Sequence, residues 1–383
     1  MKKTILVIIF FSFFLSSAAI AFEEEAEIKG TIPFELKEHL IVIKAKINGS
    51  QKYYDLVLDT GGLTFIDKEV AKELDLKTRG NMAKMNTLEM GEVSIPNIFA
   101  FTTFHTEKFR KHGIIFYGII GSNLLERFKI TIDYRQNKVV LSPDDKQTGE
   151  NTGGFKCRFT NHRINNAPMI DGTVNGSIPI KAMVDTGQPY SIVFPLEYLD
   201  KLEAKNSPSL IKSKGVMIKW PNTSTPDSYL WRIDDFQMGK IHSPNLLCCF
   251  AELPRILSVP LLGKDYLSQF LITIDYPHDE ILFLPYENAA FVTNKYSFGL
   301  SLAKGDNNTV VVEGLWTGGP ADEAGIEIGD EVFACNSKPI DGENISELRR
   351  LIQNEKIDTI KLTVQNSKGR REVTLRKKTL LKE

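Results

Sequence analysis

Cysteine is scarce in this sequence: Cys157, Cys248, Cys249 and Cys335 are the four among 383 residues. That excludes a small scaffold stapled by disulfides, which needs several pairs in a short domain. Cys248 and Cys249 are adjacent on a predicted strand and should face opposite ways. One of them could reach Cys157, but buried free thiols are the expected state. No C-x-x-C or H-E-x-x-H occurs and the six histidines are scattered, so no metal or other cofactor is expected. Net charge is nearly absent as well. Lys and Arg total 47 against 48 Asp and Glu, a balance of -1 that gives no electrostatic case for nucleic acid as partner. The one local bias, a basic run from Lys368 to Lys378, reads as a solvated last strand and tail.

Long apolar runs are missing except at the start, where Ile5 to Leu15 is shorter than the ~20 residues of a bilayer span. Lys2 and Lys3 precede that run, and Ala19-Ile20-Ala21 follows it as a small-x-small site. Residues 1–21 therefore read as a signal peptide, with a mature chain starting near Phe22. The expected location is the periplasm or envelope of a bacterial cell, or outside it. No cysteine lies near the cleavage site, so no lipid anchor is expected.

What the chain does contain is a repeat of itself. Residues 46–61 (KINGSQKYYDLVLDTG) and 173–187 (TVNGSIPIKAMVDTG) each carry an Asn-Gly turn and a strand ending in Asp-Thr-Gly. Asn-Gly is the strongest short hairpin signal. LEMGEVSIPN (88–97) matches FQMGKIHSPN (236–245), sharing Met, Gly, Pro and Asn. IIGSNLLERFKITIDYRQNKVVLSP (119–143) parallels LLGKDYLSQFLITIDYPHDEILFLP (261–285), including an alternating Ile-Thr-Ile-Asp-Tyr. Three blocks in one order mark a duplicated unit. Short strands broken by Gly, Pro and Asn predict a mainly β fold of closed or partly closed barrels over residues 22–290. Brief helices are expected near 67–75 and 122–128 and at their counterparts.

The duplicated Asp-Thr-Gly, each followed downstream by two apolar residues and Gly (Ile119-Ile120-Gly121, Leu261-Leu262-Gly263), resembles the pepsin and retropepsin superfamily of aspartic proteases. The likeness covers about residues 30–290 and implies two lobes, 22–150 and 151–290, forming a pseudo-dimer within a monomer. It also implies that Asp59 and Asp185 form the catalytic pair. Thr60 and Thr186 would bond across the interface. Gly61 and Gly187 would let the backbone pass the opposite lobe, and Gly121 and Gly263 would let the apolar pairs pack beneath the loops. Two adjacent carboxyls share one proton, so the pair can act as base and acid on a water that attacks a peptide carbonyl. The pattern departs from the family at Gly62 and Gln188, where relatives carry Ser or Ala. Without a hydroxyl at Gly62 the first apparent pKa should be higher, with a rate profile centred on about pH 5–6. A serine there should then move its acidic limb downward. The flap that covers substrate is expected in the second lobe, with arms at 216–220 and 229–233.

Residues 318–340 (GGPADEAGIEIGDEVFACNSKPI) resemble a PDZ domain of the kind attached to bacterial envelope proteases, with the domain spanning 291–383. That likeness makes Ser297, Phe298, Gly299 and Leu300 a carboxylate-binding loop and ISELRRLI (345–352) the groove helix, so peptide termini are the expected partners. The expected function is an exported aspartic endopeptidase whose PDZ domain recruits or gates peptide substrates. The alternative is an inactive peptide-binding scaffold of the envelope.

Overall fold

The computed structural model describes residues 28–103, 106, 115–142, 154–218, 227–254 and 258–381. The expected signal peptide lies outside them. The fold is mainly β, with barrel-like lobes and a C-terminal domain.

In the first lobe, strand Leu40–Ile47 turns at Asn48-Gly49 into Tyr54–Asp59. Both turn residues have positive φ (51° and 69°), and so do Asn175 and Gly176 (49° and 71°) in the second lobe. Such turns match the right-handed twist of the strands they join, and Asn and Gly adopt them at least cost. Each asparagine side chain also accepts from two backbone N–H groups of a later strand: Asn86 and Thr87 for Asn48, Asp234 and Asp235 for Asn175. The turn is thereby tied to the strand that closes the barrel. Closure comes where Ala45–Ile47 pairs with Leu88–Met90, and again where Thr173 and Val174 pair with Phe236 and Gln237. At the shared Pro-Asn of the second repeat block, Asn97 and Asn245 take positive φ (53° and 54°) and are unpaired, while the register continues unchanged on both sides. Ile41, Ile43, Ala45 and Ile47 are fully buried on the inward face.

The two copies meet in one sheet, where Lys129–Asp133 runs antiparallel to Phe270–Asp275. Thr131 faces Thr273 and their hydroxyls are 2.9 Å apart, with Ile130 opposite Ile274 and Ile132 opposite Ile272. The alternating Ile-Thr-Ile buries both isoleucines of each copy and leaves the threonines to satisfy one another. The pseudo-two-fold axis passes between them. Cys248 joins the main core shared by the lobes and Cys249 a second core, on opposite faces of one strand as alternation requires. All four cysteines are free thiols, and burial pushes Cys157 up to about 12.

The C-terminal domain has its own core around Phe298, Leu302, Val312 and Leu348. It is not a bead on a string. Ser213–Gly215 leaves the second lobe and pairs with Gly314–Trp316, making one continuous sheet. Trp316, Leu380 and Leu381 are buried in a core with Tyr190, Val193 and Cys249 of the second lobe.

Candidate active site

Each Asp-Thr-Gly ends a strand and turns back sharply. Tyr54–Asp59 lies parallel to Gly118–Gly121, and Met183 and Val184 lie parallel to Leu261 and Leu262. The glycines after those apolar pairs are required by space. A Cβ on Gly121 would sit 2.3 Å from the Leu63 carbonyl carbon, and one on Gly263 would sit 2.4 Å from the Tyr190 carbonyl oxygen.

The loops then cross to each other's lobe. Thr60 N–H donates to Thr186 Oγ1 and Thr186 N–H to Thr60 Oγ1, both at 3.1 Å. The hydroxyls donate onward to the Val184 carbonyl at 2.7 Å and the Leu58 carbonyl at 3.0 Å. All the atoms are buried, so each bond replaces water that has been lost; a buried donor left unmade costs about 1–3 kcal/mol. Gly187 lies against Asp59, where its Cβ would be 2.8 Å from the carboxyl carbon, and Gly61 lies against Asp185 at 2.5 Å by the same measure. The structure thus brings together Asp59, Thr60, Gly61, Asp185, Thr186 and Gly187, and sets Gly121 and Gly263 beneath them.

Asp59 and Asp185 are hydrogen-bonded to each other. Burial raises both above the ordinary carboxyl range. For Asp59 this is offset in part by the bond from Asp185 and by N–H groups of Gly61, Gly62 and Gly187. Asp185 is pushed higher still by the charge and the hydrogen bond of Asp59, despite N–H groups of Gly187 and Gln188. Such a pair holds one proton between two oxygens and can give and take a proton at a single place. Among the described residues no group of three or more His, Cys, Asp or Glu is placed to hold a metal ion.

Two expectations need correction. The second-lobe hairpin is not built from 216–220 and 229–233. Its upstream arm is Ile211–Gly215, of which Ile211 and Lys212 pair with Leu230 and Tyr229 before the strand passes to the C-terminal domain. Met217 and Ile218 pack in the core that holds Trp316, so their apolar character reflects burial there and not a flap arm. Residues 219–226 lie outside the described residues. The hairpin at the same place in the first lobe, Lys77–Arg79 with Met82–Lys84, is exposed along its first strand. The short sequence between helix and Met90 concealed it. Gly62 also differs from expectation. A Cβ there would lie 2.7 Å from Asp59 Oδ2, so the position has no room for a serine that merely adds a donor.

In the C-terminal domain, Phe298 and Leu300 are buried and Gly299 has φ of 77°. Ser297 Oγ accepts the Gly299 N–H at 3.0 Å, so that donor is engaged within the loop. Helix Ile345–Gln353 packs Ile345 and Leu348 inward, and buried Arg349 donates to the Leu302 carbonyl on the neighbouring strand. Residues 311–366 match the PDZ domain family. The C-terminal domain that holds this match has strands on either side of it, from Tyr296–Ser297 to Lys378–Thr379. PDZ domains bind peptide termini, which is consistent with peptide partners for this chain. No curated protein matches the chain.

Proposed function

We propose that this chain is an exported aspartic-type endopeptidase of the pepsin and retropepsin kind, acting in the envelope, periplasm or outside the cell. The observation that carries the reading is the reciprocal embrace of Asp59 and Asp185. Each carboxyl lies against the glycine of the opposite loop, and the two are hydrogen-bonded to each other, with Asp185 buried and Asp59 half-buried. The ionised member takes a proton from water as that water attacks the scissile carbonyl, and the protonated member donates to the developing oxyanion. The exposed first-lobe hairpin is free to close over a bound peptide, while the second-lobe hairpin is tied to the PDZ domain. Occupancy of the PDZ groove then bears on one wall of the cleft.

The test is hydrolysis of a peptide mixture across roughly pH 3 to 8 by the full chain beside Asp59→Asn and Asp185→Asn. Activity in the parent and its loss in both variants is expected. Hydrolysis surviving in either variant overturns the pair.

A further inference from the structure

Two side chains cross the lobe interface to corresponding atoms of the opposite loops. Asn165, in the hairpin that enters strand Pro168–Val174, donates from Nδ2 to the Gly61 carbonyl at 2.5 Å. The amide is 5% exposed, and its Oδ1 is engaged by His162 Nδ1 at 2.7 Å and the Ala167 N–H at 3.3 Å. It cannot turn away without breaking three bonds. In the corresponding first-lobe hairpin, between Glu35–Lys37 and Leu40–Ile47, His39 is hydrogen-bonded to the backbone of Gly187. That bond favours the protonated ring, so the ring N–H donates and the Gly187 carbonyl accepts.

A peptide unit is rigid and trans, so its carbonyl and the following N–H point opposite ways. Holding the Gly61 carbonyl therefore keeps the Gly62 N–H on the Asp59 backbone carbonyl at 3.2 Å, closing the turn in which the Gly61 N–H donates to Asp59 Oδ1 at 2.9 Å. Holding the Gly187 carbonyl likewise keeps the Gln188 N–H on the Asp185 backbone carbonyl at 3.2 Å, closing the turn in which the Gly187 N–H donates to Asp185 Oδ1 at 2.9 Å. We propose that Asn165 and His39 are positioning residues that lock the Gly61–Gly62 and Gly187–Gln188 peptide planes, and so hold the Gly61 N–H on the Asp59 carboxyl and the Gly187 N–H on the Asp185 carboxyl. This rests on the reading of Asp59 and Asp185 as a working pair. Besides each other, the charges of the pair act on the phenols of Tyr134 (from Asp185) and Tyr276 (from Asp59). His39 faces Lys264 from the second lobe and Lys295 from the segment leading to the PDZ domain.

A backbone donor to a carboxylate favours its charged form, so misdirecting one raises the titration of that carboxyl. The experiment follows the two carboxyl carbons by NMR in the full chain with labelled aspartate, which needs no substrate, and measures peptide hydrolysis in parallel. Asn165→Ala and His39→Leu should move the titration of the pair upward by on the order of one pH unit. The acidic limb of the rate profile should move with it, with kcat falling more than KM rises. His39→Gln, which keeps a donor, should restore parent behaviour. Where Asn165→Ala does not fold, Asn165→Ser is judged by the same criterion. Titration as in the parent in both the Asn165 and the His39→Leu variants overturns the proposal. Hydrolysis persisting in Asp59→Asn overturns the peptidase reading instead, and leaves the titration to judge this one.

Discussion

Gly61 and Gly187 have no room for a side chain because their neighbour is the opposite carboxyl. Gly61→Ala and Gly187→Ala should therefore fold yet lose about a hundredfold or more in kcat, since the carboxyl must shift by tenths of an ångström or more. Gly62→Ser should likewise lower kcat by displacing Asp59. Steady-state kinetics with circular dichroism on the same samples separates this from unfolding. At Ser337, φ is 65° beside Asn336 at 50°. A non-glycine residue in that region costs about 1–2 kcal/mol, so Ser337→Gly should stabilise the PDZ domain by about 1 kcal/mol in urea titration. His39 carries a pH signature. Its pKa is lowered from 6.5 to about 4, first by burial and then by the charges of Lys264 and Lys295, against the bond to Gly187. The unfolded chain takes up that proton at higher pH than the folded one, so the stability His39 allows is complete above 6.5 and drains away as pH falls towards about 4. His39→Gln should show a smaller drop in urea midpoint between neutral and acid pH than the parent.

Elements that repeat were legible before the structure, and elements shaped by contact with another part were not. The Asn-Gly turns, the paired Asp-Thr-Gly and the Ile-Thr-Ile-Asp-Tyr strands each state their own conformation through local chemistry. Their duplication marks them as parts of one design. His39 and Asn165 escaped notice because their hairpins differ in length, two loop residues after Lys37 and six after Asn161, and neither residue is special except for what it meets. The strand Ser213–Gly215 was concealed for the same reason. Its partner lies a hundred residues away in another domain. Gly215 (φ 69°) passes so close to that partner that a Cβ would be 2.3 Å from the Glu313 carbonyl oxygen. Gly215→Val should peel the strand off the PDZ sheet, and the check is faster limited proteolysis within 211–228 with the rest of the chain intact. An unchanged cleavage map would show that the apolar packing of Met217 and Ile218 holds the segment without the ladder.

At the scale of the molecule, the second lobe and the PDZ domain share a sheet and a core. Trp316 is 1% exposed among second-lobe side chains. A PDZ fragment of residues 291–383 would uncover it, and losing the cover of one large aromatic costs about 3–5 kcal/mol. The fragment should melt well below the PDZ transition in the full chain, while Trp316→Ala should lower the full chain's transition by a similar energy. Independent melting at one temperature in both settings would argue that the domain is merely tethered.

The hydroxyl contact between Thr131 and Thr273 has a meaning for ancestry. In a two-fold homodimer, a residue on the axis meets its own copy, and whatever one subunit acquires the other acquires too. This chain keeps the axial contact but not that obligation. Once both halves were written in one gene, one first hairpin could carry histidine and the other asparagine. One outer hairpin could stay loose while the other was given to a neighbour. A symmetric assembly would have had to bind a PDZ domain on both sides or on neither. Fusion is what allowed one.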